Sequence, residues 1–172
     1  MINELFNKLN CKHLSDWGVA LLGISGVPGI AEHLSHSVVK DFASAELERI
    51  SIDDPLLDLV VNLATDGCET SNELREKLEE ICRVTETDLH KARLKWRFIS
   101  MRDLISNLDA DPVYGLIKLS EFWAAWEWPT DSPTSMRSDT KISPQDYHSQ
   151  SNYEYVIQNH REWLDEQLKS LQ

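Results

Sequence analysis

Apolar residues recur along most of the chain at three- and four-residue spacing, the period of an amphipathic helix. Over 71–83, Leu74, Leu78 and Ile81 fall on one face while Glu73, Glu76 and Glu80 fall on another. Near the C-terminus, Tyr153, Val156, Ile157, His160, Leu164, Leu168 and Leu171 form one stripe, with Arg161, Glu162, Asp165 and Glu166 largely outside it. Helix 55–66 differs: Leu56, Leu57, Leu59, Val60, Val61 and Leu63 surround a narrow polar stripe of Asp58, Asn62 and Thr65, which predicts a central helix. The long segment 86–108 carries two apolar faces, Leu89, Ala92, Trp96 and Ile99 on one and Leu94, Phe98, Met101, Ile105 and Leu108 on the other. A helix apolar on two sides is packed on two sides, so this one is expected between layers of a bundle.

Helix-start signals divide the chain further. Asp53-Asp54-Pro55 and Asp111-Pro112 each offer an acidic cap with proline in the first turn, where the missing N–H costs nothing. Thr70 with Glu73 and Ser151 with Glu154 have capping-box spacing, and Thr85 with Asp88 and Ser143 with Asp146 repeat it with a shorter acid. The predicted helices lie near 2–9, 16–24, 29–42, 55–66, 71–83, 86–108, 112–127 and 152–171. No strand pattern and no internal repeat stands out. The fold class is therefore all-α, a bundle of about seven or eight helices in a single domain. Residues 129–144, PTDSPTSMRSDTKISP, interrupt the pattern as a long loop before the last helix; such loops are usually functional or mobile.

Composition supports this picture. In 172 residues, six glycines and six prolines are few, as long helices with short connections require. Charge changes it more. Lys and Arg total 17 against 29 Asp and Glu, a net charge of −12. Nucleic-acid binding needs a basic surface and is disfavoured. Residues 41–80 hold twelve acids against three bases, a net of nine negative charges. A solvated helix face accounts for such a run; the functional alternative is a docking surface that steers a basic protein partner. Basic residues concentrate at 90–102, in Lys91, Arg93, Lys95, Arg97 and Arg102, interleaved with core positions. That interleaving predicts pairing with the protein's own acids.

Candidate chemistry is thin. His33 and His36 sit three apart beside Glu32, yet a third ligand at matching spacing is missing and there is no HExxH pattern. Cys11 and His13 lie too close in sequence to be assigned nucleophile and base roles. Cys11, Cys68 and Cys82 form an odd set without CxxC spacing, consistent with reduced thiols. GISGVPG, with Gly23, Gly26 and Gly29, lacks the lysine of a phosphate-binding loop and reads as an inter-helix turn. Phe122, Trp123, Trp126 and Trp128 crowd before the long loop, predicting core packing for most and a binding anchor for one at the loop edge. No catalytic residue, metal or cofactor is expected. The N-terminal segment lacks a signal-peptide run and Trp17–Ile24 is too short to span a bilayer, so a cytoplasmic location is expected.

The C-terminal third carries a resemblance. Asp111 to Trp123 reads DPVYGLIKLSEFW, Pro129 to Pro133 reads PTDSP, Ile142 to Tyr147 reads ISPQDY, and His160 to Leu164 reads HREWL. These segments resemble a bacterial domain-of-unknown-function family with a DPxYGLxKLxEFW segment, a PxDSP turn, an ITPxxYY-like segment and an HxEWL-like run. The match covers about sixty residues well and the N-terminal part loosely, and His148 stands where the second tyrosine of the YY pair is expected. The family looks like immunity proteins of polymorphic-toxin and contact-dependent growth inhibition systems. That implies a non-catalytic antidote that binds the C-terminal toxin domain of a cognate effector, often a nuclease. Charge then nominates Asp53, Asp54, Asp58, Glu69, Glu73, Glu76 and Glu80, with Asp131 in the long loop, as the toxin-binding acids. A non-catalytic helical scaffold or regulatory subunit of a cytoplasmic complex is the alternative.

Overall fold

In the computed structural model, which describes residues 1–65, 70–133 and 143–172, all regular structure among the described residues is helical. The elements are α1 (Ile2–Asn10), α2 (Trp17–Ser25), α3 (His36–Leu47), α4 (Leu57–Ala64), α5 (Ser71–Val84), α6 (Leu89–Ser106), α7 (Pro112–Ala125), α8 (Pro144–Tyr147) and α9 (Gln150–Leu171). Contacts group the chain into two compact units, Met1–Trp96 and Arg97–Gln172. Helix α6 contributes its first turns to one and its later turns to the other.

In the first unit α1 buries Ile2, Leu5, Phe6 and Leu9, a single face at helical spacing. Helix α2 is buried nearly all round, from Trp17 to Leu21 and again at Gly23, and takes the central place expected of 55–66. Its start is fixed by Asp16, whose carboxylate accepts from the Val19 amide at 2.8 Å and also pairs with buried Lys95. The Trp96 indole donates to the Val19 carbonyl at 2.9 Å. Phe42 of α3 meets Phe6 and Trp17 edge-on, with ring centres 5.5 and 4.9 Å apart.

Two expected boundaries move here. The GISGVPG turn runs further than its glycines suggested: Gly26 and Gly29 take positive φ, Ile30 bonds back to Val27, and the Leu34 amide returns to the Gly23 carbonyl. Helix α3 therefore begins at His36, with Ser35 at its N-cap position, instead of near 29. Helix α4 is short and buries only Val60, Leu63 and Ala64. It lies on α3 and touches α5 while Asp58, Val61 and Asn62 face solvent. Apolar content exceeded the area available to cover it. Helix α5 begins with the full capping box, Thr70 accepting from the Glu73 amide and Glu73 accepting from the Thr70 amide, and packs Leu74, Leu78, Ile81 and Cys82 inward.

In the second unit Asp111 caps α7 by accepting from Val113 and Tyr114, and Pro112 fills the first turn. The helix ends in a Schellman arrangement, the Trp128 amide on the Trp123 carbonyl and the Glu127 amide on the Ala124 carbonyl. Glu127 and Trp128 both have positive φ without being glycine. Ser143 caps the single turn α8. Helix α9 starts at Gln150 because Ser149, not Ser151, supplies the cap. Gly115 allows the closest approach of the unit: a Cβ there would lie 2.0 Å from the Tyr153 hydroxyl oxygen. That hydroxyl donates to the Asp109 carbonyl at 2.5 Å.

Candidate functional site

The described acidic side chains of 41–80 lie on α3, α4, α5 and the segment joining α3 to α4, all in the first unit. Helix periodicity puts them outside: Asp41, Glu48, Asp53, Asp58, Glu73, Glu76, Glu79 and Glu80 are exposed, and Glu46 and Asp54 are half-buried. None of the described acids in this stretch is buried, whereas a catalytic carboxylate pair needs one desolvated member. What the arrangement offers instead is negative potential over helices that touch one another.

The nominated residues differ in how committed they are. Asp54 accepts from the Leu56 amide at 2.8 Å, and Glu73 is tied into the capping box. Glu80 lies 3.6 Å from Arg83 on its own helix, and neighbouring Glu79 bonds Arg75 at 2.8 Å. Asp53, Asp58 and Glu76 have no basic side chain within ion-pair distance among the described residues. Glu69 lies outside the described residues, as do Cys68 and the 134–142 part of the long loop. Asp131 belongs to the second unit and is not grouped with the others. Its carboxylate, 43% exposed, pairs at 2.5 Å with the Arg97 guanidinium, whose side chain is 7% exposed. Asp131 thus has an internal duty that its place in a loop did not reveal.

Two of the five bases expected to pair internally, Lys95 and Arg97, are drawn inward. Lys95 pairs with Asp16, and Arg97, besides Asp131, lies over the Trp163 and Trp123 rings at 5.4 and 6.0 Å. Lone surface pairs such as Lys118 with Glu121 add little. Within the basic segment, then, Lys95 and Arg97 are neutralised by Asp16 and Asp131, while Arg93 and Arg102 stay exposed.

Groups with chemical potential elsewhere are held in structural bonds. His160, 1% exposed, accepts at Nε2 from the Trp123 indole at 2.9 Å, so its proton sits on Nδ1 and is donated to the Val156 carbonyl at 2.7 Å. Burial depresses its pKa, partly opposed by the Val156 bond. Burial pushes the Cys82 thiol up to about 11, which leaves it unreactive as a nucleophile. His33 bonds the Ile24 carbonyl and His36 the Ser71 hydroxyl, each at 3.0 Å. Among the described residues no three His, Cys, Asp or Glu side chains are grouped as metal ligands, and no helix is long and apolar enough to cross a membrane.

A second exposed feature lies on α7 of the second unit. Val113, Tyr114 and Ile117 are exposed apolar residues, and Trp128, 52% exposed, stands just past the helix end. Trp123 and Trp126 are buried, so Trp128 is the loop-edge ring of the cluster. Tyr114 and Ile117 were not singled out from sequence; their only signal was apolar residues on a helix whose inward face was already filled by Gly115, Leu116, Leu119 and Trp123.

No curated protein and no solved structure matches the chain. Residues 6–168 match a bacterial family described as "Uncharacterized protein conserved in bacteria (DUF2247)". Nearly the whole sequence lies within that match, and the chain belongs to this family.

Proposed function

We propose that the chain is a non-catalytic immunity protein that acts in the cytoplasm, binding and neutralising the toxin domain of a secreted bacterial effector. The toxin favoured by the charge is a nuclease whose phosphate-gripping surface is basic. One observation carries this reading: the exposed acids of α3–α5 in the first unit, with Asp53, Asp58 and Glu76 lacking a basic partner among the described residues. Complementary potentials of this kind raise association rates and select against acidic partners. The C-terminal resemblance and the family's bacterial range agree with it. The scaffold alternative draws on the exposed apolar residues of α7, which suit a lasting partner.

Co-expression with the C-terminal domain of a large secreted effector encoded beside this gene tests the proposal. Restored growth with co-purification of the two chains is expected. A toxin that stays lethal and does not co-purify contradicts the immunity role and favours the scaffold.

A further inference from the structure

The second unit carries a groove between α6 and α9 of about 310 Å³. Its walls include Phe98 and Ile105 from α6 and Leu164 and Leu168 from α9, so its floor is apolar. Arg102 and Arg161 stand on the same walls, and both are exposed. Neither has a carboxylate within ion-pair distance among the described residues, although the chain holds 29 acids to 17 bases. Lys95, Arg97, Arg49, Arg75, Arg83 and Lys118 each have one. Lys12, Lys91 and Lys169 also lack one among the described residues, so what sets Arg102 and Arg161 apart is that two partnerless guanidiniums share one apolar floor.

We propose that this groove binds an amphipathic monocarboxylate, its head held by Arg102 and Arg161 and its apolar body laid on Phe98, Ile105, Leu164 and Leu168. Charge selects a monoanion. The one acid in the lining is Asp165, one turn beyond Arg161, so two positive charges face one negative and the groove carries a net single positive charge. The guanidinium fork suits a carboxylate because it can donate two parallel bonds. The Ser106 hydroxyl, also in the lining, already donates to the Arg102 carbonyl at 2.9 Å and adds only an acceptor, which places the recognition on the arginines. Size selects a small ligand, since the groove sits at the lower end of the volumes that small-molecule sites occupy.

Calorimetry on the full chain with octanoate, 1-octanol and acetate separates head from tail. Octanoate is expected to bind with Kd below about 1 mM and at least about tenfold more tightly than either of the others. The Arg102→Gln/Arg161→Gln variant, altered only at exposed positions, should lose at least about tenfold for octanoate and leave 1-octanol unchanged. Asp165→Asn should tighten octanoate by about two- to threefold, because it removes the one opposing charge. Three results would overturn the proposal: equal affinity for octanoate and 1-octanol, an unchanged double variant with unaltered circular dichroism, or no octanoate binding up to about 10 mM. Preferential binding of a peptide through its C-terminal carboxylate, with octanoate inert, would assign the groove to a protein partner and also overturn it.

Discussion

The acidic helices α3–α5 of the first unit and the aromatic helices α7–α9 of the second are built on opposite logic. In the second, conspicuous side chains tie the unit together: Asp111 caps, Gly115 admits Tyr153, Trp123 bonds His160, and Asp131 holds Arg97. In the first, exposed acids predominate, and Asp53, Asp58 and Glu76 tie down nothing among the described residues. Of the nominated acids, Asp131 therefore stands apart from Asp53, Asp58 and Glu76, because it already has an internal partner in Arg97. Caps, close approaches and buried hydrogen bonds report how a unit is held together, whereas exposed charge without such duties is available for long-range attraction.

That contrast is open to direct attack, and the second unit offers the largest effects. Gly115→Ala places a Cβ 2.0 Å from the Tyr153 hydroxyl oxygen and 2.3 Å from the ring carbon bearing it. A loss of about 3 kcal/mol is expected in urea denaturation, outweighing the roughly 1 kcal/mol by which alanine ordinarily favours a helix. A neutral result would deny the close approach its role. Asp131→Ala strands the Arg97 guanidinium. Fully buried pairs cost about 3–5 kcal/mol when broken this way, but the Asp131 carboxylate is partly solvated, so about 2 kcal/mol is expected from the same measurement. Toxin binding lost with stability intact would instead give Asp131 an outward role.

A smaller effect comes from His160. Its folded pKa lies below the ordinary histidine value near 6.5, so the unfolded chain binds the proton first. The resulting stability is complete above about pH 6.5 and is lost as pH falls toward the depressed folded pKa, by at most about 1.4 kcal/mol per pH unit. Denaturation midpoints between about pH 5 and 7 should show this slope, and His160→Gln should flatten it. Smallest of all, Asp53→Ala, Asp58→Ala and Glu76→Ala should each move stability by no more than about 0.5 kcal/mol, since these exposed acids hold nothing in place.

Local chemistry was readable along most of the chain. The caps at Thr70, Asp111 and Ser143 act as their spacing predicts, and Lys95 and Arg97 of the basic stretch in α6 turn inward. One reading failed locally, at α9, where Ser149 and not Ser151 supplies the cap; elsewhere the surroundings decided. Helix α3 starts late because the Leu34 amide is held by the Gly23 carbonyl, which no periodicity within 29–42 records. Helix α4 looked central because apolar count measures what a helix can bury, not what neighbours arrive to cover it; α2 took that place. For the candidate surface, the sequence located the charge but could not separate Asp53, Asp58 and Glu76 from acids serving as caps or ion-pair partners. Asp131 was indistinguishable from a loop acid because Arg97 lies 34 residues away.

The central claim is that free acids of the first unit attract and hold a basic toxin domain. Asp53→Lys/Asp58→Lys/Glu76→Lys spares the Asp54 turn bond to Leu56 and the Thr70–Glu73 capping box, so its fold should stand. Calorimetric titration of this variant and the natural chain with the toxin domain, at low and moderate salt, tests the claim most directly. The account predicts at least about a hundredfold weaker binding for the variant, and natural-chain affinity that falls as salt rises. Equal affinity for both proteins with no dependence on salt would contradict it.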